Sequence, residues 1–163
     1  MPSGLLYRQD FITAGEEATL LEEIGRLPLE EARYKAYRAR RRIVAFEASV
    51  PPFLLPLQAR AAELTGRPSA DFRHALVTEY RPGTALGWHR DMPEFGLVVG
   101  VSLAGPCRMR FRRYPARKGE RVFALALEPR SVYVLSGEIR WGWQHSVAPA
   151  PALRYSITLR TRP

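Results

Sequence analysis

The chain has 163 residues, 46% of them hydrophobic and 10% aromatic, which provides one packed core and excludes an intrinsically disordered chain. No apolar run approaches the roughly 20 residues of a membrane-spanning helix, and the single cysteine excludes an internal disulfide, so we expect one monomeric, cytoplasmic domain over residues 1–163 that does not bind membranes. The net charge of +9 favours a polyanionic partner such as nucleic acid, although only two of the 25 basic residues are lysines and an arginine bias also arises from genome composition.

Two helices are predicted in the first 70 residues. Thr13 and Glu16 form a capping box, and apolar residues follow at helical spacing until Pro28 interrupts the pattern. A second helix begins after the two prolines at 51–52 and ends at Gly66.

From His74 onward the chain changes to short runs of β-branched and aromatic residues between Gly and Pro turns. This spacing predicts a β-sandwich or barrel. The expected fold is therefore mainly β with N-terminal helices (α+β), with the helices in residues 1–70 and the β core in residues 71–163. The predicted strands are 74–80, 97–103, 107–113, 121–127, 132–135 and 154–160.

A basic segment, residues 32–46, separates the two helices. It holds six basic residues and no carboxylate, together with the aromatic residues Tyr34, Tyr37 and Phe46. Basic side chains such as Arg41 and Arg42 suit phosphate contact, and interleaved rings suit base stacking. The segment therefore favours nucleic-acid binding, and the alternative is an ordinary solvated face.

The chain has three histidines, and two of them are candidate metal ligands. His89 and Asp91 are two residues apart, which in an extended strand directs both side chains to one face. His145 comes much later, next to a strand-like segment, and is the candidate third ligand, whereas His74 is interpreted as structural. Two imidazoles and one carboxylate form the facial triad that holds iron(II) with coordination positions open for oxygen chemistry. A single His-x-Asp also occurs often by chance.

The last predicted strand has one wholly polar face. Arg154, Ser156 and Arg160 share this face with Thr158 because side chains alternate along a strand. Two guanidiniums on one face suit a dicarboxylate, which they bind by charge-assisted hydrogen bonds. Thr78 and Tyr80 share a face of the strand 74–80 and offer hydroxyl groups to the same ligand. The alternative is an ordinary half-solvated strand.

The strand 107–113 alternates cleanly between apolar and basic residues. Arg108, Arg110 and Arg112 face one way, and Cys107, Met109 and Phe111 face the other. The arginine stripe is predicted either to line a nucleic-acid groove or to form a solvated edge.

Several motifs in order resemble the AlkB family of nucleic-acid dealkylating dioxygenases, which depend on iron(II) and 2-oxoglutarate. The resemblance runs from about Phe72 to Arg160 and is weaker across the N-terminal helices. The motifs that carry it are Tyr80-Arg81-Pro82-Gly83, Gly87-Trp88-His89-Arg90-Asp91, the apolar strand 98–103, Ser136-Gly137-Glu138 before His145, and the Arg-Tyr-x-x-Thr-x-Arg ending.

The resemblance implies a double-stranded β-helix, a relative of the jelly roll, with the two helices packed against it. It implies that His89, Asp91 and His145 bind iron and that Arg154 with Tyr80 holds the distal carboxylate of 2-oxoglutarate. Arg160 would approach the metal-chelating end. The basic segment falls where the family carries its nucleotide-recognition lid, so the candidate substrate-binding residues are Tyr34, Tyr37, Arg41, Arg42, Trp88 and Arg110.

The implied activity is oxidative dealkylation of N-alkylated bases in single-stranded DNA or RNA, with O2 and 2-oxoglutarate as cosubstrates and with formaldehyde, succinate and carbon dioxide as products. Two positions depart from the family: Thr78 stands where Asn is frequent, and Pro93 stands where some members carry an acidic residue that reads the base. The alternatives are an oxygenase acting on a protein, lipid or small molecule, a nucleic-acid-binding module without turnover, and, least favoured, a zinc hydrolase.

Overall fold

The computed structural model describes the backbone of residues 2–34 and 37–163 and the side chains of these ranges except 33, 34 and 37–40. The chain forms eleven strands and three α-helices in these ranges. In chain order they are β1 (Leu5–Arg8), α1 (Ala14–Ile24), β2 (Glu30–Tyr34), β3 (Tyr37–Phe46), α2 (Leu55–Thr65), β4 (His74–Tyr80), β5 (Leu86–His89), β6 (Val98–Leu103), β7 (Cys107–Arg113), β8 (Phe123–Leu127), β9 (Val132–Leu135), α3 (Gly137–Trp141), β10 (Trp143–Val147) and β11 (Arg154–Arg160).

The strands form two antiparallel sheets. The large sheet has the order β1-β9-β6-β11-β4-β3-β2, and the small sheet has the order β5-β10-β7-β8. The two sheets enclose one apolar cluster that includes Met109, Phe111 and Leu135. The predicted mainly β, jelly-roll class is therefore confirmed.

The helices pack on the other face of the large sheet. Leu20 and Ile24 of α1 and Leu57 of α2 join Val77 and Ile157 of the sheet in a second apolar cluster. The Thr13 capping box begins α1 as predicted, and Gly66 ends α2 in the left-handed conformation that glycine adopts without strain. No helix in ranges 2–34 and 37–163 is long and apolar enough to cross a membrane.

The first 46 residues contribute three strands that the sequence pattern did not indicate. β1 pairs with β9, and β2 and β3 form a hairpin on the free edge of β4. The hairpin contains most of the basic segment, so a region predicted to lie between helices extends the large sheet instead. β2 is the edge strand of the large sheet and carries Glu30, Glu31 and Arg33, which is physically suitable because edge strands tolerate charge.

The hairpin is held to the sheet by an ion pair on its helix side. Arg42 donates two hydrogen bonds to the buried Glu79 carboxylate, at 2.6 and 2.7 Å, and the Tyr155 hydroxyl donates a third. The Arg42 hydrogen bonds hold the pKa of Glu79 below its usual value. Arg42 is therefore a structural residue, and its prediction as a substrate-binding residue is not supported by this geometry.

We expect Arg42→Ala to lower the free energy of unfolding by about 2 kcal/mol at pH 7, because it removes the main partner of a buried carboxylate. A lowered folded-state pKa stabilises the protein above the unfolded pKa of about 4.3, and this contribution disappears as the pH falls through the folded value. The difference between wild type and variant should therefore shrink between pH 5 and pH 3 in urea titrations. Arg26→Ala, at an exposed helix pair with Glu22, is the control and should change stability by less than about 0.5 kcal/mol.

Candidate active site

His89, Asp91 and His145 converge at one end of the small sheet. His89 and His145 are directly opposite each other in the antiparallel pair β5–β10, so their side chains share a face. Asp91 follows β5 by two residues. Its Oδ1 lies 3.4 Å from His145 Nε2 and 3.7 Å from His89 Nε2, and the three candidate ligand atoms all lie within 4.8 Å of one another. One ion can therefore contact all three.

Neighbouring groups orient these side chains. His89 Nδ1 donates to the Gly87 carbonyl at 2.8 Å, which leaves its Nε2 free to accept from a metal. Arg160 Nε donates to Asp91 Oδ2 at 2.7 Å, which leaves Oδ1 facing the imidazoles. Two nitrogen donors and one carboxylate oxygen fit iron(II), and outer hydrogen bonds orient His89 and Asp91 among them.

The electrostatics of the site favour the protonation states that bind metal. Burial, reinforced by the nearby His145, lowers the pKa of His89 to about 4, so this imidazole is neutral at pH 7. Burial alone would raise the pKa of Asp91, but the hydrogen bond from His145 and the charge of Arg160 hold it well below its usual value. The aspartate is therefore ionised at every pH where the fold is expected to persist.

A buried guanidinium lies on the same inner face of the large sheet. Arg154 is 2% exposed, and its Nε donates to Ser102 Oγ at 2.9 Å. Its Nη1 is buried without a hydrogen-bond partner, and no carboxylate in the described ranges pairs with it. Because burying an unpaired charge is costly, this geometry fits an anionic ligand beside Arg154.

The residues whose hydroxyl groups were predicted to bind the same ligand as Arg154 lie near it on the inner face of the β4–β11 pair. Tyr80 is its partner across the β4–β11 pair, with the guanidinium carbon 4.9 Å from the ring centroid, and Thr78 is the partner of Ser156. All four residues are buried, so the polar face of β11 is not a half-solvated strand. The structure brings the predicted set Thr78, Tyr80, Arg154 and Ser156 together.

Arg160 lies at the metal end of the site, where it contacts a candidate ligand directly. Besides its bond to Asp91, it lies 3.4 Å from His74 Nδ1 and near the Phe95 ring. Its Nε is therefore occupied by the aspartate, and the guanidinium positions a candidate metal ligand. The resemblance implied that Arg160 approaches the metal-chelating end of 2-oxoglutarate, and this contact with the cosubstrate stays a prediction.

The candidate substrate-binding residues separate onto different faces. Arg41 lies on the face of β3 opposite to Arg42, and its positive charge contributes to the low pKa of His89, so it faces the site. Trp88 and Arg110 lie on the outer face of the small sheet, away from the triad, since they alternate with His89 and Phe111 along their strands. The side chains of Tyr34 and Tyr37 lie outside the described part of the structure.

Two residues near the site were missed by sequence reasoning. Tyr133 on β9 is buried between the sheets, and burial followed by the charge of Asp91 raises its pKa well above its usual value. It lies opposite Gly100, whose partner on the other side is Thr158 on the polar face of β11, between Ser156 and Arg160. The only indication of Tyr133 in the sequence is that it is an aromatic residue at an inward-facing position of a short predicted strand.

Arg140 is the second missed residue. It is buried at the end of α3 and donates to the carbonyls of Met92, Phe95 and Gly96 at 2.6 to 2.9 Å. These carbonyls belong to the loop that follows Asp91, so Arg140 fixes this loop. It follows the Ser136-Gly137-Glu138 motif by two residues, which is the signal that points to it.

Tyr133 depends on a glycine opposite it. A Cβ built at Gly100 would overlap the Tyr133 ring, so we expect Gly100→Ala to destabilise the protein by about 2 kcal/mol through overpacking. Thermal unfolding tests this expectation. The double variant Gly100→Ala/Tyr133→Leu should recover most of the loss, and failure of that rescue would show that the glycine is needed for another reason.

Comparison with known proteins identifies the family. A model described as the 2OG-Fe(II) oxygenase superfamily matches residues 8–160. An Alkylated DNA repair protein ALKBH8 homolog of Arabidopsis thaliana is 29% identical over 180 aligned positions, covering 88% of this chain and 50% of the relative. Uncharacterized protein L905 of Acanthamoeba polyphaga mimivirus is 29% identical over 77 positions, covering 45% of this chain and 35% of that protein. The chain thus spans half or less of the length of these relatives.

Two solved structures share the fold. OsALKBH1 superposes with a TM-score of 0.76 at 14% identity, covering 99% of both chains. A Pseudomonas putida prolyl-4-hydroxylase superposes with a TM-score of 0.72 at 17% identity, covering 98% of this chain and 92% of the other. The resemblance to the AlkB family is confirmed by these comparisons taken together. The triad and the match over almost the whole length show a dioxygenase that uses iron(II), 2-oxoglutarate and O2. The chain belongs to the 2OG-Fe(II) oxygenase superfamily.

Proposed function

We propose that this dioxygenase removes alkyl groups from N-alkylated bases in nucleic acid. The observation that carries the proposal is the basic hairpin paired with β4: its segment, residues 32–46, has six basic residues and no carboxylate, and Arg41 lies on the face of β3 opposite to Arg42, which is the inner face of the large sheet. The name of the Arabidopsis relative, which refers to alkylated DNA repair, supports the same substrate class.

The residues of this chain divide the work. His89, Asp91 and His145 would hold the iron, and Arg160 keeps the aspartate in position through its hydrogen bond. Arg154, supported by Ser102 and Tyr80, holds the distal carboxylate of 2-oxoglutarate. When bound, the metal, O2 and 2-oxoglutarate supply the oxidising chemistry.

The products follow from atom balance. One oxygen atom of O2 enters succinate as the 2-oxo acid loses carbon dioxide, and the other enters the substrate as a hydroxyl on the N-alkyl carbon. For an N-methyl base the result is a hemiaminal, whose C–N bond breaks to release formaldehyde and the unmodified base. Protein side chains position the base and exclude water during this sequence.

Single-stranded DNA or RNA is the expected form of the substrate. A base in a duplex must leave the stack, which costs a few kcal/mol, whereas a single strand largely avoids this cost. Because Pro93 is an exposed, uncharged residue where some family members read the base with an acid, the exocyclic group of the base is read by other residues or not at all.

The experiment measures formaldehyde and succinate with a panel of single-stranded oligonucleotides that carry one N-methylated base, with the unmodified oligonucleotides as controls. We expect formaldehyde and succinate in equal amounts from at least one methylated strand and none above background from the unmodified strands. Arg73→Met, an exposed arginine remote from the triad in sequence, is a control that should retain activity. Succinate without substrate-dependent formaldehyde from any strand contradicts the proposal.

A second candidate keeps the chemistry and changes the substrate to a protein side chain, lipid or small molecule. The prolyl-4-hydroxylase shares the fold with a TM-score of 0.72, and Pro93 removes one base-reading contact. This candidate predicts that 2-oxoglutarate turnover is coupled to the oxidation of proline-containing peptides or of small molecules. It predicts no turnover with methylated oligonucleotides. Iron-dependent succinate formation on any substrate excludes both a binding module without turnover and a zinc hydrolase.

A further inference from the structure

Three arginines form an exposed row on the outer face of the small sheet. Arg108, Arg110 and Arg112 alternate along β7 with Cys107, Met109 and Phe111, which are buried between the sheets. The arginines therefore point to the opposite face, away from the triad. Arg108 and Arg110 are exposed and Arg112 is half-buried. We call these three residues the arginine stripe.

The neighbours of the arginine stripe are small or neutral. Ala126 and Ala124 on β8 lie opposite Arg108 and Arg110, so no large side chain covers the first two guanidiniums from that strand. On β10, Gln144 lies opposite Arg112 and accepts from its Nε at 2.8 Å. Within the described ranges none of the three arginines forms an ion pair with a carboxylate. Three uncompensated cations in a row make a strongly positive face.

An aromatic ring extends the arginine stripe towards the catalytic end of the sheet. Trp88 on the edge strand β5 lies under two guanidiniums, with its ring centroid 4.4 Å from the Arg112 carbon and 5.4 Å from the Arg110 carbon. The next residue in the chain is His89. A ligand that follows the stripe to Trp88 therefore reaches the strand that carries a metal ligand.

The loop after β7 adds to the same positive region. Residues 107–121 contain seven basic residues and one acidic residue, Glu120, within a chain whose net charge is +9. Arg117, Lys118 and Arg121 are all exposed. Residues 107–121 thus carry a net charge of +6, as large as that of the basic segment 32–46.

We propose that the arginine stripe and Trp88 form a docking surface for a single-stranded nucleic acid, separate from the catalytic pocket. Guanidiniums bind phosphates with paired hydrogen bonds. The Trp88 ring, at the end of the arginine stripe, offers a surface for base stacking. An acidic protein or an anionic membrane would satisfy the charge and leave the ring without a role. The surface holds a strand whether or not that strand carries the group that is oxidised, so it does not depend on the proposed dealkylation.

The test is fluorescence anisotropy of the full chain with a labelled, unmodified single-stranded 20-mer, at several salt concentrations and without added iron. The stripe variant is Arg108→Gln/Arg110→Gln/Arg112→Gln. The matched control is Arg8→Gln/Arg26→Gln/Arg73→Gln, which removes three exposed arginines from β1, the end of α1 and the start of β4. Circular dichroism melts of both variants establish that they fold.

If the arginine stripe binds phosphates, its removal reduces the slope of log K against log salt by about 2, because each phosphate contact on a single strand contributes about 0.7. The control variant should keep the wild-type slope. Trp88→Leu should weaken binding about tenfold with an unchanged slope, since stacking is not ionic. Equal slopes for the stripe and control variants overturn the proposal, as does equal competition by polyglutamate of the same charge. Absence of formaldehyde in the activity assay with intact binding overturns only the dealkylation.

Discussion

Replacing either side chain of the His-x-Asp pair should abolish turnover. We expect His89→Ala and Asp91→Ala each to reduce succinate formation more than about 100-fold, since even outer-shell partners of metal ligands cost 10- to 100-fold. The reason is geometric: the three candidate ligand atoms lie within 4.8 Å of one another, and loss of any one leaves only two donors. Succinate formation at saturating iron and 2-oxoglutarate measures the effect.

Metal affinity separates a lost ligand from a damaged fold. Anaerobic titration with iron(II), monitored by isothermal titration calorimetry, should show that both variants lose tight iron binding. Glu94→Ala removes an exposed carboxylate three residues after Asp91 and should retain wild-type affinity. Wild-type turnover in the His89 variant would contradict the ligand assignment.

Most of the second half of the fold was predictable because its strands are short and separated by turn residues, although β5 and β10 were not among the predicted strands. The predicted strands 74–80, 107–113, 132–135 and 154–160 have the observed bounds, and 97–103 and 121–127 begin one and two residues too early. The alternation of β11 was equally clear in the sequence, and by itself it places Arg154 and Ser156 on one face. Local pattern is sufficient where each strand has one apolar face.

The N-terminal strands could not be predicted in this way. Four of the ten residues of β3 are arginines, and it forms a strand because β4 offers a free edge with backbone groups to pair. This is a tertiary effect that overrides local propensity. The same effect sets Arg41 and Arg42 apart: the sequence marked both as substrate contacts, but only the register of β3 against β4 shows that Arg42 meets Glu79 on the helix side.

The site combined readable and unreadable parts. His89 and Asp91 were identified from their spacing, whereas the position of His145 depends on the pairing of β10 with β5, which joins segments more than 50 residues apart in the chain. Trp88 adjoins His89 in sequence, and for that reason it lies on the opposite face of the strand. Tyr133 and Arg140 act through contacts with distant loops and sheets, which no local pattern encodes.

Arg154 should show opposite effects on cosubstrate binding and on stability. We expect Arg154→Met to raise the 2-oxoglutarate concentration needed for half-maximal turnover about 30- to 150-fold, because loss of a charge-assisted hydrogen-bonding partner costs about 2 to 3 kcal/mol. The same variant, without cosubstrate, should unfold at the wild-type temperature or above it, because it removes a buried guanidinium that has no carboxylate partner in the described ranges.

Steady-state titration of 2-oxoglutarate and thermal melts with and without it measure the two effects. Addition of 2-oxoglutarate with a redox-inert divalent metal should raise the melting temperature of the wild type and leave that of Arg154→Met nearly unchanged. The exposed-site variant Arg73→Met should behave as the wild type in every assay. A lower melting temperature with an unchanged 2-oxoglutarate requirement would mean that Arg154 supports the sheet and that another group holds the cosubstrate. The buried Nη1 without a partner, beside Ser102 and Tyr80, is the reason to expect the opposite.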